Sequence, residues 1–165
     1  MIFSDSSDDH GSNADGMLGG EKGEQTMDDH IRIVDCYYVT VRDRPGEASR
    51  LLEHVSESGL SLTAFTAVPT GTDETQICFV TDKPETLQEA AANAGAALVG
   101  PKKGFLIQGK DRIGALHEYH LALSNAGVNV YSSSGISDGK GRFGFILWVE
   151  AGDFDKAFDA FGIGG

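Results

Sequence analysis

The sequence predicts an α+β protein made of two consecutive β-α-β-β-α-β units behind an acidic leading segment. Three observations carry this reading. Residues 1–30 are dominated by Gly, Ser and Asp and show no apolar period, whereas the chain turns abruptly β-rich at residue 31. Strand-like and helix-like patterns then follow in the order β-α-β-β-α-β. That order begins again in one register: Asp43, Arg44, Gly46, Ser56, Gly59 and Gly71 find the same residue type 68 positions later, at Asp111, Arg112, Gly114, Ser124, Gly127 and Gly139.

In the first copy, the stretch from His30 to Val41 is a β-rich run with apolar and aromatic residues spread along it. Pro45-Gly46 ends a charged turn. Ala48, Leu51, Leu52 and Val55 then recur at helical spacing, and Gly59 supplies a left-handed stop. Leu60–Val68 and Thr75–Thr81 read as strands across a turn at Pro69–Glu74. Asp82 and Pro84 open a second helix that runs to about Ala94, and Ala96–Val99 is a short closing strand.

In the second copy, Phe105–Gln108 is the first strand and Ile113–Ala126 the first helix. Val128–Ile136 and Phe143–Val149 form a hairpin across Ser137–Lys140. Phe154, Phe158 and Phe161 line one face of a last helix at Asp153–Phe161. The chain then ends at Gly165, so the second unit lacks most or all of its closing strand. Such a gap leaves a sheet edge that needs covering by another element or another chain, which motivates side-by-side packing or a homodimer. The expected divisions are a disordered acidic tail at 1–30 and units at 31–101 and 102–165, each with helices on one face of an antiparallel sheet.

Composition narrows the function. The 165 residues carry 13 Lys and Arg against 25 Asp and Glu, a net charge of −12. Of that, −7 lies in residues 1–30, through eight acids and Lys22. An acidic body disfavours non-specific nucleic-acid or anionic-membrane binding. No apolar run reaches the roughly 18 residues of a membrane span, and no basic-then-apolar start marks a secretory signal. Cys36 and Cys78 form no CxxC and no framework, and read as separate buried, reduced thiols of a cytoplasmic protein.

The chemistry concentrates in two loops. Asp43-Arg44-Pro45-Gly46 and Asp111-Arg112-Ile113-Gly114 each join a strand to a helix. A helix N-terminus offers unpaired N–H groups and partial positive charge, Gly permits close approach, Arg can fork a carboxylate, and Asp can accept from an ammonium group. Together these complement a free amino acid. A plain helix start with solvated charges is the competing reading.

These loops, with Gly59-Leu60-Ser61-Leu62 and Gly127-Val128-Asn129-Val130 after the helices, resemble the ACT domain family. Its members have a ferredoxin-like βαββαβ fold, an Asp-x-Pro-Gly-type loop and an apolar-Asn-apolar entry into the second strand. The resemblance covers about residues 35–163. It implies a non-catalytic regulatory module that binds a small ligand, most often an amino acid, between paired units. Carried over by position, the ligand-binding residues are Asp43, Arg44, Gly46, Asp111, Arg112, Gly114 and Asn129. The implied partners are a second copy or a regulated enzyme or regulator, and no cofactor or metal is expected. The departures are Ser61 in place of Asn and Ile113 in place of Pro.

A different class of function rests on Arg142-Phe143-Gly144-Phe145-Ile146-Leu147-Trp148. This stretch partly resembles the aromatic strand of an RNA-recognition motif, with Phe143, Phe145 and Phe105 stacking bases on an open sheet face. The charges of the second copy balance, which removes the electrostatic term such binding uses. The same aromatics would otherwise cover that face against the other copy or a partner protein. An acylphosphatase-like use of Arg44 or Arg112 with Asn129 is opposed by the adjacent Asp. His117 and His120 share a helix face but have no further ligand nearby, so a partly buried and an exposed His are expected there. Glu118 reads as a solvated helix residue. Ser132-Ser133-Ser134 either lines a polar pocket or forms an exposed edge.

Overall fold

The computed structural model describes residues 29–163. The expected disordered tail therefore lies outside the described residues, except for its last two positions. Those two are a correction: His30 opens the first strand and Asp29 makes buried contacts described below.

The elements are β1 (His30–Arg42), α1 (Glu47–Glu57), β2 (Ala64–Pro69), β3 (Glu74–Val80), α2 (Pro84–Asn93), β4 (Val99–Lys110), α3 (Ala115–Asn125), β5 (Val130–Ser137), β6 (Arg142–Val149) and α4 (Phe154–Ala160), the last behind a single 3-10 turn at Ala151–Asp153. The apolar periods and turn residues find each of these elements, but β2 begins at Ala64 rather than Leu60, and Lys83 rather than Asp82 stands at the start of α2, which has no side-chain cap. α1 and α3 begin and end 68 residues apart, and Gly46 and Gly114 hold the same left-handed conformation at φ 92° and 86°. Gly59 and Gly127 end the two helices at φ 67° and 68°.

All six strands join one antiparallel sheet in the order β2-β3-β1-β4-β6-β5. Its centre departs from the sequence reading. Ala96–Val99 and Phe105–Gln108 are not separate strands: Val99–Lys110 is one strand, and it lies against a β1 of 13 residues. The C-terminal part of β1 pairs with β3 through Cys36–Arg42, while its N-terminal part, His30–Cys36, pairs with β4. Hence His30–Val34 lies beside β4 on the side away from β6, where the second half lacks a strand of its own. The gap is filled by the same chain, and no second copy is required to cover it.

Two cores pack between sheet and helices. Val39, Ile77 and Phe79 meet Leu51 and Val55 of α1 and Leu87 and Ala90 of α2. Phe105, Ile107, Phe143, Phe145 and Leu147 meet Tyr119 and Leu123 of α3 and Ala157 of α4. Phe154 stacks on Phe105 at 4.8 Å and Phe161 meets it edge-on at 5.1 Å, so the aromatic face of α4 closes this core. Burying each large apolar side chain contributes about 2 kcal/mol.

A third cluster lies on the helix-free face: Val34, Cys36, Cys78, Val80, Leu106, Ile146 and Trp148. No helix covers it, yet every member is at most 9 % exposed. Side chains from β2 and β5, the two edge strands, line one hollow together with Cys36, Cys78 and Trp148. Cys36 and Cys78 lie on neighbouring strands of this cluster and are joined as a disulfide, where separate thiols were expected.

Candidate functional site

The two strand-to-helix loops share one backbone wiring. Asp43 N–H donates to Asp73 O and Asp111 N–H to Gly141 O; Glu47 N–H donates to Arg44 O and Ala115 N–H to Arg112 O. The helices then start with Arg50 N–H on Gly46 O and Glu118 N–H on Gly114 O. Neither helix has a side-chain cap. Among the described residues the backbone N–H groups of Ala48, Ser49, Leu116 and His117 have no backbone acceptor, as the first turn of a helix dictates. The aspartates hold the loops to the neighbouring hairpins: Thr75 donates to Asp43 at 3.2 Å and Ser137 to Asp111 at 2.7 Å. Asp138 braces the second hairpin by accepting from the N–H groups of Arg142 and Lys140, which lowers its pKa.

The side chains then diverge. Arg112 donates from Nη1 to Asp29 at 2.8 Å and from Nη2 to Glu118 at 2.6 Å. Asp29 also accepts from the Tyr119 hydroxyl at 2.6 Å, and its side chain is only 4 % exposed. Gly109 makes room for it, since a Cβ there would collide with the Asp29 carboxylate. The two carboxylates, Asp29 foremost, raise the Arg112 pKa further above its already high value, and burial together with Asp29 raises that of Tyr119. Glu118 is thus an ion-pair partner rather than a solvated residue. Asp29 is the partner of this loop that sequence reading missed; its signal was no more than an acid immediately before a β-rich run. Arg44 has no ion-pair or hydrogen-bonding side-chain partner among the described residues.

Beside the second loop is an open pocket of about 350 Å³, lined by Asp111, Arg112, Gly114, His117, Ile136 and Ser137 among others. Asn129 does not line it. Asn129 follows the C-terminal end of α3 and Gly114 precedes its start, which for 11 helical residues is a separation of roughly 16 Å. The structure brings Asp111, Arg112 and Gly114 together, and separately Asp43, Arg44 and Gly46, but joins neither group to Asn129 within one chain.

The aromatic strand faces the other way from the RNA-binding expectation. Phe143 and Phe145 are 8 % and 2 % exposed in the helix-side core, and Phe105 is fully buried there. Gly144, Ile146 and Trp148 take the helix-free face instead. No base can stack on Phe143 or Phe145, and an interaction surface built on them is likewise excluded. The reason is pairing parity: β6 is apolar at both parities, so its pattern does not reveal which face meets the helices. Tyr119, in the register of Leu51, enters the core, whereas the partly buried His expected at position 120 is not found: His117 and His120 are both exposed, His120 resting on Phe145 at 5.5 Å. No group of three or more His, Cys, Asp or Glu side chains fit to hold a metal occurs among the described residues. Among the described residues, no helix is long and apolar enough to cross a membrane.

The six-stranded order and the paired loops can be set beside solved structures. A protein of Bacteroides thetaiotaomicron matches with a TM-score of 0.70 at 14 % identity, over 81 % of this chain and 89 % of that one. The ligand-free regulatory subunit of aspartate kinase from Thermus thermophilus matches with a TM-score of 0.60 at 18 % identity, over 82 % and 95 %. This is an ACT-type fold. The regulatory subunit of aspartate kinase from Thermus flavus has it too, with a TM-score of 0.53 at 18 % identity over 81 % and 95 %. No family model matches the sequence, and no curated protein matches it.

Proposed function

We propose that the chain is a non-catalytic sensor of a free amino acid, made of two ACT-like units at 31–101 and 102–165 that share the β1–β4 seam. The observation that carries this is the pair of strand-to-helix loops, each presenting unpaired helix N–H groups behind a left-handed glycine. Such N–H groups bind a carboxylate. The likeness to regulatory subunits supports a regulatory role over a catalytic one.

In this reading the ligand carboxylate meets the amides beyond Gly46 or Gly114. Asp43, Asp111 and Asn129 take the ammonium. Because Asn129 lies at the far end of α3 from Gly114, a complete site joins the loop of one copy to Asn129 of another, and ligand binding favours the homodimer. Arg44 meets a carboxylate directly. Arg112 is already paired with Asp29 and Glu118 and holds the loop in place. Ordering the loops then shifts how the module pairs with itself or with a regulated partner.

The test is a thermal-shift panel of free amino acids, followed by calorimetry and sedimentation. A ligand at 100 times its dissociation constant stabilises the fold by about 2.7 kcal/mol. Asp111→Ala and Asn129→Ala are expected to abolish binding while the protein stays folded. Normal binding by both variants would refute the site.

A further inference from the structure

Away from both loops, the helix-free face carries an open cavity of about 440 Å³ to which all six strands contribute. That volume lies within the range of small-molecule sites. Three of its side chains are aromatic, Tyr38, Tyr131 and Trp148. Thr66 and Ser132 bring hydroxyls from β2 and β5, the two opposite edges of the sheet.

Lys102 is the charged side chain on this wall, and no carboxylate joins it there. The chain's net charge is −12, yet Lys102 forms no ion pair among the described residues. Its Nζ sits 3.6 Å from the centre of the Tyr131 ring, a contact that fixes the ammonium without neutralising it. Trp148 is 5 % exposed, and its buried indole N–H has no acceptor. A buried donor without a partner is uncommon enough to need a reason. The ring is also held by design of the backbone: a Cβ on Gly104 would stand 2.6 Å from Nε1 and 2.8 Å from Cδ1, so only glycine lets the indole lie there.

We propose that this cavity is a binding site for a small aromatic carboxylate, its ring against the aromatic wall and its carboxylate on Lys102. The charge balance selects the class. A monoanion gains an unpaired ammonium and neighbouring hydroxyl donors. A zwitterionic amino acid brings an ammonium group for which the wall offers no carboxylate. A phosphate dianion would leave one charge unmatched against a single Lys. The site is thus separate from the amino-acid loops and does not depend on them.

Trp148 is the chain's single tryptophan, so its emission reports occupancy directly. The full chain is titrated with 3-phenylpropanoate, 3-phenylpropanamide and phenylalanine, which share a skeleton and differ in charge, and binding is confirmed by calorimetry. The expected result is a saturable change in Trp148 emission with 3-phenylpropanoate. It weakens at least tenfold for the amide and for phenylalanine, and at least tenfold in Lys102→Met. Lys102→Arg retains binding. Unchanged melting temperatures in both variants exclude misfolding as the cause. The proposal is overturned if 3-phenylpropanoate gives no saturable change, if Lys102→Met binds it as tightly as the parent, or if the amide or phenylalanine matches it in the parent chain.

Discussion

Arg44 and Arg112 occupy the same place in two loops with the same backbone hydrogen bonds, and they do different things. Arg112 is clamped between Asp29 and Glu118 above the Tyr119 hydroxyl, while Arg44 has no such clamp among the described residues. The difference is not in the loops. It comes from what runs beside them. The start of β1 pairs with β4 and so delivers Asp29 to the second loop. In the first half, Glu118's counterpart is Arg50, which donates to Ala94 O and Glu47, and Tyr119's counterpart is Leu51. Turn chemistry therefore fixes the backbone of each loop, and the long-range strand pairing decides which one carries a buried charge.

The largest effect expected from this contrast is on stability. Arg112→Ala leaves Asp29 buried with only a tyrosine hydroxyl as partner. Removing one member of a buried pair destabilises by roughly 3–5 kcal/mol, and the partial exposure of Arg112 places the loss near about 3 kcal/mol. Arg44→Ala is a surface change and should stay within about 0.5 kcal/mol. Urea denaturation of the two variants measures both. Equal losses would mean that the Asp29 clamp does not hold the folded protein together.

A smaller effect isolates the hydroxyl. Tyr119→Phe keeps the ring in the core and removes one donor to Asp29, for a loss of about 1–2 kcal/mol. It also has a pH signature. The Tyr119 pKa is raised from its ordinary 10.0, so the folded state keeps its proton when the unfolded chain loses it. Above pH 10 the unfolded state then binds fewer protons than the native one, and stability falls as pH rises; below that point the effect is absent. Tyr119→Phe should flatten this alkaline decline relative to the parent. An identical slope in both proteins would remove Tyr119 as its source.

How far this was legible in sequence follows from the same contrast. Features set by neighbours in the chain were readable: the helix starts after Gly46 and Gly114, the stops at Gly59 and Gly127, and the hairpin before β6. Features set by strand partners were not. Nothing local shows that His30–Val34 belongs beside β4, because an apolar strand pairs equally well on either side. Nothing local shows that Phe143 faces α3 while Trp148 takes the helix-free face, because Phe143–Val149 is apolar at both parities. The candidate loops were found from motif and spacing, but Asp29 was assigned to the tail, and the cavity on the helix-free face had only the Ser132–Ser134 run as a hint.

The finest prediction concerns what the loops share. Gly46 and Gly114 hold φ 92° and 86°, and a Cβ at either position would meet no atom within 4 Å. Replacing either with Ala therefore adds backbone strain and no collision. The loss should be about 1–2 kcal/mol for each, and the two losses should agree within about 0.5 kcal/mol, a tolerance taken from independent distant sites. Agreement would show that the clamp at Arg112 leaves the conformation of its own loop unaltered. A markedly larger loss at Gly114 would mean that Asp29 and Glu118 depend on the loop's shape, and that the two loops differ in backbone as well as in side chains. The double variant extends the test. If the loops act independently the losses add, whereas a shortfall would reveal energy passing between them through the shared β1 and β4.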